Sequence, residues 1–213
     1  MMILNRSLIL GSALATFLFA SCGTSETAST DASADTTLAK AMDYAIDTAT
    51  SAVDWKGTMV GVKSHTGTLH FTNGDLQTKD GKLTGGSFTV DMHSYTFTDT
   101  NYAKPGSAQG TKQNLMGHLM SPEFFAVDSF PTAQFTISSV EGTTATGQMT
   151  VRGHTSEEKL ENIVLTADGK TISASGDLTF DRQKYGVSWA SPMKDMVLSN
   201  DIVLHIELQG QAR

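Results

Sequence analysis

Cysteine is nearly absent: Cys22 is the single one in 213 residues, so an internal disulfide is excluded and no thiolate cluster can hold a metal. Basic residues are also scarce, 15 Lys and Arg against 22 Asp and Glu, a net charge of −7 with no basic run. Nucleic acid needs Lys and Arg to neutralise phosphates, and anionic lipid attracts polybasic segments, so neither is expected as a charge-driven partner. The six histidines lack His-x-His or His-Glu-x-x-His spacing. His65 and His70, five apart in one extended segment, point to opposite faces, while His118 and His154 lie in separate segments. No metal site is expected. Glycine-rich phosphate loops and a Gly-x-Ser-x-Gly elbow are missing, and Asp91, Asp99 and Asp181 are too dispersed to form a carboxylate pair. The expectation is a protein without catalytic residues or a catalytic cofactor.

Long apolar runs are confined to the start of the chain. Leu8–Ala20, broken only by Gly11, Ser12 and Thr16, follows Arg6 and is shorter than the roughly 20 residues of a membrane span. It ends in Leu18-Phe19-Ala20-Ser21-Cys22-Gly23. Small residues directly before a lone cysteine resemble the lipobox of bacterial lipoproteins, which implies a signal peptide over 1–21 and acylation of Cys22, with palmitate among the acyl groups. At about 0.8 kcal/mol per buried CH₂, several chains anchor a protein essentially permanently. The expected location is the cell envelope, lipid-anchored, facing the periplasm or on the outer membrane. Removing the signal takes away Arg6 and no acid, leaving 14 basic against 22 acidic groups, a net of −8. Residues 22–43 begin with a Thr, Ser, Ala and Asp stretch that cannot bury enough apolar surface to order itself, so they read as a tether. A short helical turn over Leu38–Met42 is compatible with the pattern. One domain over 44–213 follows.

Within that domain the dominant period is two. Gly67, Leu69 and Phe71 alternate with threonines and His70; Phe88, Val90 and Met92 with Thr89 and Asp91; Ala133, Phe135 and Ile137 with Gln134 and Thr136; Ile202, Leu204, Ile206 and Leu208 with Val203, His205 and Glu207. Such alternation gives one wet and one buried face. Asn73-Gly74-Asp75, Lys79-Asp80-Gly81, Glu141-Gly142 and Ala167-Asp168-Gly169 read as hairpin turns. About eight strands at this spacing predict an all-β meander, sandwich or barrel. Residues 113–125 break the alternation, and Leu115 and Leu119 fit a short helix before Ser121-Pro122.

Three stretches carry a more specific likeness. Ser121-Pro122-Glu123-Phe124-Phe125-Ala126-Val127 leads into Pro131-Thr132-Ala133-Gln134-Phe135; Gly147-Gln148-Met149-Thr150-Val151-Arg152-Gly153-His154-Thr155 follows; Asp181-Arg182-Gln183-Lys184-Tyr185-Gly186 comes third. In order and spacing, together with Trp55-Lys56-Gly57 and His65–Leu69 upstream, they resemble the YceI-like family over essentially the whole domain. Met149 stands where that family commonly has Leu, and His154 where an aliphatic residue is usual. The resemblance implies an antiparallel eight-stranded lipocalin-like β-barrel whose lumen holds a long apolar molecule such as a polyisoprenoid.

A lumen for such a ligand needs a continuous apolar lining. Alternation nominates Leu69, Phe71, Phe88, Val90, Phe135, Ile137, Met149, Val151 and Leu178, with Phe124, Phe125 and Trp189 at the mouth. Arg182, Arg152 and Lys63 are the cations beside the signature strands that a phosphate head group would need, although Asp181-Arg182 also fits a structural ion pair. The leading expectation is a lipid-anchored carrier or sequestering protein for an isoprenoid or quinone-type lipid. A stress-protection module carrying a redox-active lipid and a structural lipoprotein with a side-chain-filled barrel are the alternatives. A homodimer stays open.

Overall fold

The computed structural model describes residues 40–191 and 196–213; the signal segment, Cys22 and the tether as far as residue 39 lie outside the described residues. Nine antiparallel strands form one closed sheet: β1 (Ala41–Ile46), β2 (Ala52–Val60), β3 (Lys63–Lys79), β4 (Lys82–Phe97), β5 (Thr132–Glu141), β6 (Thr144–Val151), β7 (His154–Ala167), β8 (Thr171–Asp181) and β9 (Val197–Ala212). They fill eight positions, because β1 and β2 occupy one position in succession. Both lie between β3 and β9, with β1 beside Asp75–Lys79 and β2 beside Lys63–His70. Ser51 repairs the break between them: the Gln209 N–H donates to its hydroxyl (2.9 Å), which in turn lies 3.2 Å from the Gln209 carbonyl. Pairing of β3 with β4 closes the ring, which leaves no free sheet edge among the described residues.

Connections alternate between two ends. The β3–β4, β5–β6 and β7–β8 hairpins gather at one end. The β2–β3 and β6–β7 hairpins, the long 98–131 connection and the β8–β9 connection gather at the other. Asp80 (φ 52°) and Gly81 (φ 73°) form the left-handed pair that a two-residue hairpin demands. Asn73-Gly74-Asp75, expected to turn, instead lies inside β3 at a register shift. A Cβ on Gly74 would stand 2.9 Å from the Phe88 ring and 3.0 Å from Ile46, so this glycine answers to a close approach across the sheet. Ala41–Asp43 pair with Gln77–Lys79 as strand. Ala41 and Met42 are therefore extended and not helical, because an unfilled place beside β3 was open to them.

The 98–131 connection carries the expected helix, α1 (Lys112–Met120). Thr111 caps it reciprocally with Asn114, and it stops at Ser121-Pro122. The chain then turns so that Phe124, Phe125 and Val127 are buried. At the β1 end the interior is packed by Tyr44, Leu76, Ala145 and Ile172, none above 1 % exposed. A residual void of about 10 Å³ remains there, room for one water at most.

Candidate functional site

Above a floor of Phe88, Leu160 and Ile206, which border both this space and the small void, the barrel opens into a cavity of about 650 Å³. That volume falls within the roughly 300–1,000 Å³ typical of small-molecule sites. The walls are the inward side chains of β2 to β9, apolar over nearly their whole height. Polar groups concentrate at the open end, where Lys63, His65, Tyr102, Asn114 and His118 stand. A barrel filled by its own side chains thus describes the β1 end and not the rest.

Eleven of the twelve expected lining residues border the cavity: Leu69, Phe71, Phe88, Val90, Phe124, Phe125, Phe135, Met149, Val151, Leu178 and Trp189. Ile137 does not. It points inward as its alternation required, but its height on β5 places it against the lower void. Alternation reports which face a residue is on and is silent about depth.

Sequence reasoning missed one wall. Val53, Trp55 and Met59 of β2 and Ile202, Leu204 and Ile206 of β9 line the cavity. Both strands carry the same period-two signal, and the β9 alternation was plain. Tyr95 was hidden differently. Phe88, Val90 and Met92 face inward on even positions, and Tyr95 and Phe97 do so on odd ones, after an irregularity at His93-Ser94. There the Ser94 hydroxyl donates to the Asp91 carbonyl (2.6 Å) and accepts from the His70 N–H (2.8 Å).

The proposed head-group cations have other duties. Arg182 is 2 % exposed and does not border the cavity. It donates to the carbonyls of Val187 (2.6 Å) and Ser199 (3.1 Å) and to Asn200 Oδ1 (3.3 Å), tying together the ends of the β8–β9 connection. Asp181 caps the Gln183 N–H at the start of the following 3-10 turn. Burial pulls the Arg182 pKa down, with Asp181 acting against it. Arg152 donates to the carbonyls of Gly186 (2.7 Å) and Pro122 (2.8 Å), pinning two connections to the β6–β7 hairpin. Lys63 alone of the three stands at the cavity, at its rim, donating to the Asn101 carbonyl (3.3 Å).

Beside Lys63, the Asp99 carboxylate gathers donors from the Tyr102 hydroxyl (2.6 Å), the Thr66 and Asn101 N–H groups (both 3.0 Å) and His65 Nδ1 (3.2 Å). Burial opposes its charge, but these hydrogen bonds outweigh burial and hold its pKa to about 2. Burial lowers the His65 pKa despite Asp99, so at neutral pH the imidazole is uncharged and its Nδ1–H donates a hydrogen bond to the carboxylate. His70, on the same strand, is on the outer face. Burial also lowers the pKa of His118, whose ring lies 5.3 Å from Phe124 and 4.7 Å from Trp189. Among the described residues no three His, Cys, Asp or Glu side chains are grouped as metal ligands would be.

A closed eight-position antiparallel barrel, packed at one end and hollow and apolar at the other, defines a lipocalin-like barrel. The profile of the YceI-like domain matches residues 44–210, and the chain belongs to that family. Burkholderia cenocepacia BcnA superposes with a TM-score of 0.61 at 17 % identity, over 77 % of this chain and 98 % of its own. A polyisoprenoid-binding domain from Saccharophagus degradans, implicated in plant cell wall breakdown, does so with a TM-score of 0.52 at 10 % identity, over 81 % of this chain and 99 % of its own. At such identities the likeness is one of fold. A search of curated protein sequences returns no significant match.

Proposed function

We propose that the chain binds one long apolar molecule, an isoprenoid or quinone-type lipid, in the barrel cavity, and acts as a carrier or sequestering protein rather than an enzyme. The observation that carries this reading is the cavity itself: about 650 Å³, apolar for nearly its whole height and open to polar groups at one end only. Lipid transferred into such a space gains about 25 cal/mol per Å² of apolar surface removed from water, which needs no reacting group. The S. degradans domain, named for polyisoprenoid binding, supports the same reading. Acylation of Cys22 would hold the carrier in the cell envelope, at the periplasmic or outer-membrane surface; this rests on the residues around Cys22.

The full chain, isolated from its own host without added lipid, tests the proposal by native mass spectrometry followed by organic extraction. One molecule of a long-chain lipid per chain is expected. Protein that is empty and also refuses added isoprenoids and quinones would sink it. A reversibly reducible extract would favour the stress-protection form of the reading over simple carriage.

A further inference from the structure

The cavity is open at one end and closed at the other by three side chains. Phe88, Leu160 and Ile206 come from β4, β7 and β9, which stand three, two and three positions apart around the closed sheet, so they reach the lumen from well-separated directions. All three border both spaces, and they part about 650 Å³ above from about 10 Å³ below. This floor has no room to sink. At the packed end beyond it Tyr44, Leu76 and Ile172 are each 1 % exposed, and the lower void cannot take an isoprene unit. The floor side chains are also seated close on glycines. A Cβ on Gly74 would come within 2.9 Å of the Phe88 ring, and one on Gly176 within 3.0 Å of Leu160. Packing of this kind keeps side chains in fixed rotamers.

A blind apolar end and a polar mouth admit a lipid tail first, and their separation sets how much of the tail is covered. Two measures agree on that length. At about 30 Å³ per water-sized group, 650 Å³ takes on the order of 20 carbon atoms. Along β9 the lining runs eight residues, from Leu198 near the mouth to Ile206 at the floor. At about 3.3 Å per residue and a strand tilt of about 40°, this is roughly 20 Å of barrel height. An extended carbon chain advances about 1.2 Å per bond, so that height covers roughly 16 chain carbons, or about four isoprene units with their methyl branches.

We infer that Phe88, Leu160 and Ile206 form a length stop, so that the cavity selects isoprenoid tails of about four units and leaves the surplus of longer tails uncovered. This rests on the lipid-binding reading above and deepens it by naming the class of tail.

The test offers the full chain an equimolar mixture of farnesol (C15), geranylgeraniol (C20), geranylfarnesol (C25) and solanesol (C45) in micelles of a non-ionic detergent. These prenols share one allylic alcohol head and differ in tail length. Native mass spectrometry reads which of them fills the cavity. In a micelle every tail carbon is already out of water, so units that fit transfer at little cost and units that protrude are penalised. Geranylgeraniol is expected to exceed solanesol by about 10-fold or more. Leu160→Ala combined with Ile206→Ala takes about six carbons from the floor, room for one more isoprene unit, and should move the preference to geranylfarnesol. Should that variant fail to fold, Ile206→Phe, which raises the floor, should move the preference to farnesol. Solanesol bound as well as geranylgeraniol, or variants that leave the preferred length unchanged, would overturn the length stop and leave lipid binding standing. Refusal of every prenol would overturn both.

Discussion

Replacing Arg182 separates a structural arginine from a head-group ligand, because the two roles predict opposite results. In Arg182→Ala the Val187 carbonyl, on a residue 0 % exposed, loses a charged donor at 2.6 Å and cannot recruit water. An unsatisfied buried carbonyl costs about 1–3 kcal/mol, towards the upper end when the lost donor was charged. The Ser199 carbonyl, on a half-buried residue, adds about 1 kcal/mol, and Asn200, which is exposed, adds little. The sum is a loss of about 3–4 kcal/mol. At about 2–4 °C per kcal/mol for a chain of this size, the melting temperature should fall by roughly 10 °C. Arg182→Lys, keeping the charge without the fork, should fall between. Thermal and urea unfolding measure the stability, and native mass spectrometry of the folded fraction measures lipid occupancy, which should match the unsubstituted protein. An unchanged melting temperature with emptied cavities would refute the reasoning and restore Arg182 as a head-group ligand.

Asp99 carries a pH dependence of stated sign. Its folded pKa of about 2 lies below the unfolded value near 3.9, so its stabilisation is full above about pH 4 and is lost as pH falls toward 2. The amount is about 2 kcal/mol, and Asp99→Asn should flatten urea midpoints across that window. His65 and His118, both lowered, lose their contribution earlier, as pH drops below about 6.5. Gly67→Ala would bring a Cβ to 1.8 Å from the Thr96 carbonyl oxygen and 2.7 Å from the Trp55 ring, so soluble folded protein should be largely lost. Gly57→Ala, whose Cβ would meet nothing nearer than Ile202 at 3.9 Å, should express and melt almost normally. Val90→Trp puts a large ring into the cavity; folding should survive at a cost of about 1–3 kcal/mol while geranylgeraniol binding drops steeply, and retained binding would mean that lipid sits elsewhere.

Strand identity was legible in this chain because each strand is wet on one face and apolar on the other, and that contrast is written locally, two residues at a time. Leu69 and Phe71, Phe135, Met149 and Leu178 could be assigned to the interior on that ground alone. The stop of α1 at Ser121-Pro122 and the Asp80-Gly81 turn are local as well. The order and spacing of the signature stretches pointed to the family, and with it to a closed barrel, where periodicity by itself left sandwich and meander open.

What required the tertiary structure was everything that depends on residues distant in sequence. Asn73-Gly74 looks like a turn until Phe88 and Ile46 are brought against it. Ala41–Asp43 look like tether until β3 offers them a partner. Ile137 and Phe135 read alike, yet one faces a 10 Å³ void and the other a 650 Å³ cavity, because height in a barrel is set by strand stagger and not by periodicity. Arg182 read either as a head-group cation or as one half of an ion pair with Asp181; only folding delivers the Val187, Ser199 and Asn200 oxygens that consume it. The unpaired Nε1–H of Trp55 is visible only in three dimensions for the same reason, since a missing partner is a property of the whole surroundings and never of the residue.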